Sequence, residues 1–129
     1  MIISVGVDLV EVTRIQRALE DPKIGRRFCG RVYTEKEIEY CEGKGQGKYQ
    51  SYAGRFAAKE AVMKALGRGW GSKVGWLDIE VRSTLGGKPE ICLRNKTSAF
   101  AQELGIQSFS LSITHTKQLA MAYVVAQGE

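Results

Sequence analysis

The stretch Tyr49-Gln50-Ser51-Tyr52-Ala53-Gly54-Arg55-Phe56-Ala57-Ala58-Lys59-Glu60-Ala61-Val62-Met63-Lys64-Ala65-Leu66 decides the fold. It has no proline and one glycine, Gly54, and it is dominated by residues that lose little on entering a helix. Gly67 and Gly69 follow as a C-terminal stop. The spacing predicts the longest helix of the chain over residues 49–66. At about 100° per residue, Ala53, Phe56, Ala57, Glu60, Ala61 and Lys64 share one side. Glu60 and Lys64 thus fall inside an otherwise apolar stripe, and a carboxylate there must be neutralised, paired or bound to a metal. The plain reading is an (i, i+4) Glu60–Lys64 ion pair on an exposed face. The sharper one has Glu60 ligating a cation while Lys64 meets an anionic ligand.

Toward the N-terminus, Ile3, Val5, Val7 and Leu9 alternate with Ser4, Gly6 and Asp8, which predicts a strand over 2–9 with its odd-numbered face buried. Asp8-Leu9-Val10-Glu11 fits an acidic variant of the capping box, so a helix carrying Arg14 and Arg17 is predicted to start there. Asp8 therefore reads either as that helix's N-cap or as a second carboxylate for a divalent ion. Magnesium needs few protein oxygens when phosphates and water supply the rest. Thr34 and Glu37 form a second box before a short helix through about Tyr40, and Gly43, Gly45 and Gly47 mark a mobile loop.

Beyond the long helix lies a loop containing Trp70, Gly71, Gly75 and Trp76. Strands are predicted over 78–82 and 90–93, joined by a turn at Gly86-Gly87. Asn95 is placed as the cap of a helix through Leu104, with Gly105 at its end. Phe109, Leu111 and Ile113 alternate with polar residues in a further strand, and Leu119 to Ala126 form another after the turn at Thr116-Lys117-Gln118. The order points to an α+β fold: one domain over 1–129, with a long central helix packed on a small antiparallel sheet.

The chain has 129 residues, 43% of them hydrophobic, and a net charge of +5, which excludes disordered and fibrous classes. No apolar run approaches the roughly 20 residues of a membrane span, and the opening residues lack the basic start of a signal peptide. Cys29, Cys41 and Cys92 show no C-x-x-C spacing, which argues against a disulfide framework or structural zinc and for the cytosol. Arg14, Arg17, Lys23, Arg26, Arg27 and Arg31 are opposed only by Glu20 and Asp21, so either a solvated face or an acidic partner is expected. A nucleic-acid-binding module would want aromatics interleaved with these charges, and only Phe28 and Tyr33 are near. His115, the one histidine, follows a strand and suits a phosphate contact, proton transfer or a structural role. No Walker-type loop is present. A magnesium-dependent phosphohydrolase built on the same two carboxylates is a further reading.

Taken together, several blocks carry a resemblance. Gly6-Val7-Asp8-Leu9-Val10-Glu11 with Arg14-Ile15 resembles the opening motif of the holo-acyl-carrier-protein synthases, the short single-domain class of 4′-phosphopantetheinyl transferases. Arg31-Val32-Tyr33-Thr34 with Glu37 is similar to the next family block. Gly54 to Ala61, continuing to Lys64-Ala65-Leu66-Gly67, resembles the signature F-x-x-K-E-A-x-x-K-A. Gly87-Lys88-Pro89 and Ser112-Ile113-Thr114-His115-Thr116 complete the order.

The resemblance implies transfer of phosphopantetheine from coenzyme A to a serine of apo-acyl carrier protein, releasing adenosine 3′,5′-bisphosphate. It implies Mg2+ on Asp8 and Glu60, and Lys64 on the phosphates. Arg55 and His115 would lie near the coenzyme's phosphates, Gly87, Lys88 and Pro89 near the adenine, and Arg14 at the carrier docking surface. It also implies a homotrimer with sites between subunits. Phosphoryl transfer needs charge neutralisation and positioning more than covalent chemistry, which this residue set supplies. Glu60 through a water, a metal-bound water and His115 are all candidates for the proton acceptor. Thr114 stands where the family commonly has serine, keeping the hydroxyl and adding a methyl. The Gly- and Lys-rich segment 42–50 also departs from the family pattern.

Overall fold

The computed structural model describes residues 1–129. Its centre is helix α4, Lys48–Leu66, which ends at Gly67 with a left-handed φ of 77°. Only Glu60 and Lys64 reach the surface between Tyr52 and Leu66. The predicted one-sided stripe is therefore replaced by a helix covered almost all round. Ala53, Gly54, Ala57, Ala58, Ala61 and Ala65 allow neighbouring backbones to approach closely on several sides.

Strand β1, Ile2–Glu11, lies along α4. With β5, Leu119–Gln127, and β4, Ser108–His115, it forms an antiparallel sheet in the order β1-β5-β4. The sheet corrects the expected burial of β1. Gly6 and Val10 are buried and Asp8 half-buried on the face toward α4, whereas Val5, Val7 and Leu9 are exposed. Contact with α4 explains the inversion. The Ser4 hydroxyl donates to the Ala65 carbonyl at 2.6 Å. A methyl on Gly6 would overlap the Ala61 carbonyl oxygen. Small residues therefore face inward, and the apolar odd-numbered side chains join Leu119, Met121 and Tyr123 as an exposed apolar surface.

Asp8 does not cap a helix. β1 keeps pairing with β5 as far as Glu11 opposite Leu119, and helix α1, Val12–Glu20, starts afterwards with no side-chain cap. A short helix α2, Gly25–Val32, was not signalled by the sequence pattern. Helix α3, Glu35–Glu42, begins with the predicted Thr34–Glu37 box, both of whose bonds form. Gly43 ends α3, and Gly45–Gly47 make a single 3-10 turn leading into α4.

Strands β2, Ile79–Ser83, and β3, Pro89–Leu93, form a separate hairpin whose turn uses Gly87 at φ 81°. Arg94, not Asn95, stands at the N-cap position of helix α5, Asn95–Glu103, and makes no side-chain capping bond; Asn95 itself sits at φ 52° and donates to Asp78. No helix is long and apolar enough to cross a membrane.

One buried polar network carries no local sequence signature. Lys59 and Glu37 are fully buried and paired at 2.7 Å. The Lys59 ammonium also donates to the carbonyls of Val32 and Trp76. The other Glu37 oxygen accepts from the Val81 amide at 2.8 Å. One lysine thus ties α4 to the end of α2, the start of α3 and the approach to β2. Burial pulls its ammonium below the ordinary lysine range, although Glu37 opposes this.

Candidate active site

Two groups of polar residues flank α4. The first joins β1 to its second half. Lys64 donates to Asp8 Oδ1 at 3.1 Å and to the Val7 carbonyl at 2.9 Å. The expected Glu60–Lys64 ion pair is replaced by this cross-link to β1. Glu60 faces the same region: burial raises its carboxyl above the usual range, the negative charge of Asp8 adds to the rise, and Lys64 and Arg14 oppose it. Two like charges are thus held near one another at a half-buried place. No third His, Cys, Asp or Glu joins them. A hard divalent cation fits this donor set, with its other ligands drawn from substrate phosphate and water. An open cleft of about 630 Å³ at the end of β1 is lined by Leu9, Glu11, Arg14 and Leu119 among others, and Asp8 is not one of its walls.

Arg14 stands on α1 with its guanidinium 5.6 Å from the centre of the Phe56 ring. With Arg17, Lys23, Arg26, Arg27 and Arg31 it makes an exposed basic surface on α1, α2 and the turn between them. Phe28 is only half-buried but packs edge-on against Tyr33 and beside Phe56, and Tyr33 is buried. Neither ring is presented as a stacking platform for bases.

The second group surrounds Arg55, near the start of α4. Arg55 is only 5% exposed, yet no carboxylate pairs with it. Its guanidinium lies 3.7 Å over the Tyr40 ring, one terminal nitrogen donates to Ser83 Oγ at 3.3 Å, and Nε is buried without a partner. It borders a cleft of about 180 Å³ whose walls include Tyr40, Ser51, Ser83, Pro89 and His115. A buried cation with spare donors, facing a cleft that no carboxylate lines, is chemically suited to hold an anion. The structure brings Arg55, Gly87, Pro89 and His115 to this cleft, but Lys88 is exposed on the hairpin and does not line it.

Neither Asp8, Glu60 nor Lys64 lines that cleft. β5 lies between β1 and β4, so Asp8 and His115 stand on strands about 10 Å apart. One chain therefore offers a carboxylate–lysine half and an arginine–histidine half in different places.

Tyr40 was absent from the sequence-derived site. An aromatic in the short helix after Thr34 carries no pattern that marks it. Its hydroxyl sits below the ordinary tyrosine range: partial burial pushes it up, but the Ser83 hydroxyl and the charges of Arg55 and Lys44 outweigh this. The thiols are quiet by contrast. Burial pushes Cys41 up to about 12 and also raises Cys29.

A profile of the 4′-phosphopantetheinyl transferase superfamily matches residues 4–124. The chain belongs to this superfamily. Within it, the chain is 48% identical over 127 residues to the holo-[acyl-carrier-protein] synthase of Solibacter usitatus, covering 98% of this chain and 99% of that protein. It is also 48% identical over 120 residues to the synthase of Ruminiclostridium cellulolyticum, covering 93% and 88% respectively. Among solved structures, the Neisseria meningitidis holo-[acyl-carrier-protein] synthase superposes with a TM-score of 0.87 at 35% identity, covering 98% of this chain and 99% of that one. The Helicobacter pylori synthase in complex with coenzyme A superposes with a TM-score of 0.82 at 33% identity, over 95% and 99%. The expected phosphopantetheinyl transferase fold is the one observed, with the long helix packed against a three-stranded antiparallel sheet and a separate β2–β3 hairpin where one small sheet was expected.

Proposed function

We infer that this protein transfers 4′-phosphopantetheine from coenzyme A to a serine of apo-acyl carrier protein. Synthases named for that reaction match it along nearly their whole length, and one of its structural neighbours holds coenzyme A. The observation that carries the reading within the molecule is the convergence of Asp8, Glu60 and Lys64 from β1 and α4.

In the reaction the serine oxygen forms a bond to the β-phosphorus of coenzyme A. The bond from that phosphorus to the bridging oxygen breaks, and adenosine 3′,5′-bisphosphate leaves. Asp8 and Glu60 would hold a divalent ion, which we take to be magnesium. When bound, that ion would neutralise diphosphate charge and polarise the phosphorus–oxygen bonds. Lys64 adds positive charge on the same side. The Arg55–His115 cradle takes the remaining phosphate, on the ribose, with Gly87 and Pro89 beside it toward the adenine. His115 stands in that cradle rather than beside the carboxylates, so we assign it a phosphate contact. We leave proton acceptance to Glu60 through a water.

Arg14 and the basic surface of α1 and α2 would dock an acidic face of the carrier. We place the reaction in the cytosol. We further propose that copies associate through the exposed apolar face of β1 and β5, bringing the carboxylate half of one beside the arginine half of the next. The family resemblance makes that assembly a trimer.

Incubation with coenzyme A, magnesium and an apo-carrier protein, read by mass spectrometry, tests the reaction. The expected result is a carrier heavier by one phosphopantetheine. An unchanged carrier alongside released inorganic phosphate would favour a phosphohydrolase instead. An unchanged carrier together with tight oligonucleotide binding at physiological salt would favour a nucleic-acid-binding module.

A further inference from the structure

Arg55 presents an unusual problem of placement. It is almost wholly buried and faces an anion cleft, but no carboxylate fixes its plane. Only two side chains hold it: Ser83, through one bond at 3.3 Å, and Tyr40, whose ring lies 3.7 Å beneath the guanidinium. The serine bond is long and leaves rotation about its axis free. A flat aromatic face against a flat guanidinium restricts that rotation, and the stacking is strongest where water is excluded. A carboxylate partner would also fix the plane, but it would neutralise the charge the cleft needs. An aromatic face fixes it and leaves the charge intact.

We propose that Tyr40 is a positioning residue for the coenzyme: its ring orients Arg55 toward the ribose phosphate without neutralising it. This rests on the transferase reading above. Tyr40 itself bonds no substrate atom in this account. It acts through Arg55, and the ring rather than the hydroxyl does the work. Lys44, 4.5 Å from the ring centre, stacks on the same aromatic, so it too depends on the ring.

The test compares Tyr40→Leu and Tyr40→Phe in the carrier-transfer assay, with coenzyme A and with dephospho-coenzyme A, which lacks the ribose phosphate. Tyr40→Leu should raise KM for coenzyme A about tenfold while kcat changes less than twofold. Its effect on dephospho-coenzyme A should be within twofold, so the preference between the two coenzymes collapses. Tyr40→Phe should keep that preference.

Equal KM increases for both coenzymes in Tyr40→Leu would overturn the proposal, because general loosening of the fold would do the same. Loss of preference in Tyr40→Phe would also overturn it, by assigning the role to the hydroxyl. Should Tyr40→Leu fail to fold, the Phe variant and Ser83→Ala decide. With Tyr40 still stacked, Ser83→Ala should lose less than half of the preference, and complete loss would refute the role of the ring. A wild-type protein that modifies the carrier but does not distinguish the two coenzymes would sink the ribose-phosphate assignment instead. No transfer at all would sink the transferase reading.

Discussion

Replacing Gly6 with alanine perturbs the contact on which the carboxylate half depends. The added methyl would overlap the Ala61 carbonyl oxygen and lie 2.9 Å from the Ala61 carbonyl carbon and 3.0 Å from the Ala65 nitrogen, against ordinary contacts of 3.4–4 Å. These are all backbone atoms and cannot rotate away. β1 must therefore retreat from α4 by about 1 Å. Overpacking of this kind costs about 1–3 kcal/mol. The retreat also stretches the Ser4–Ala65 and Lys64–Val7 hydrogen bonds, each contributing about 0.5–1.5 kcal/mol. A total loss of about 2–6 kcal/mol leaves a domain of mid-range stability, about 10 kcal/mol, folded at low temperature. Asp8, two residues along the same face, moves with the strand. An ångström of misplacement at a reacting centre lowers rates by roughly a hundredfold. Urea denaturation followed by intrinsic fluorescence should show the lower midpoint. Carrier modification, measured where the variant is fully folded, should show the larger functional loss. A Gly6→Ala protein with wild-type stability and activity within twofold would refute the argument. So would an activity loss that only tracks the unfolded fraction.

Glu60→Gln should be inactive yet more stable than the native protein near neutral pH without divalent ions. Burial and Asp8 raise the native carboxyl, so the folded state binds its proton more tightly than the unfolded chain. That stability is fully present below the unfolded value of about 4.3 and is lost as pH rises through the folded one. The variant's advantage should accordingly vanish around pH 4 in thermal melts, and a variant less stable than wild type at neutral pH would contradict this account. Arg14→Glu should raise the carrier's KM at low salt while leaving coenzyme A binding by calorimetry unchanged, with the difference fading as salt screens the surface. A collapse of coenzyme affinity would place Arg14 elsewhere. Lys59→Met strands a buried Glu37 carboxylate and should cost about 3–5 kcal/mol in chemical denaturation. A loss below 1 kcal/mol would mean that the pair is dispensable.

Much of the scaffold was legible because its signals are local. Alanine-rich composition and a left-handed glycine mark α4, a reciprocal box marks α3, and turn glycines mark the hairpin. What failed depends on neighbours. Alternation in β1 is real, but it cannot say which face is inward when a glycine lets a helix carbonyl sit against the strand. Asp8 fitted a cap pattern, but β1 pairs as far as Glu11, which leaves Asp8 inside the strand and not at a helix start. Helical-wheel arithmetic singled out Glu60 but passed over Lys59, whose burial requires Glu37 from a different helix. Of the candidate site residues, Asp8, Glu60, Arg55 and His115 were legible through motif order. Tyr40 was not, because its relation to Arg55 exists only once α3 folds beside α4.

Should working sites form between copies, as proposed, the separation of the two polar halves would have a genetic consequence. A copy without Glu60 still carries an undamaged arginine cleft, and a copy without Arg55 still carries undamaged carboxylates. Where working junctions form only across copies, an assembly mixing the two defects contains some junctions built entirely from sound parts. Two alleles, each dead alone, would then rescue one another in trans.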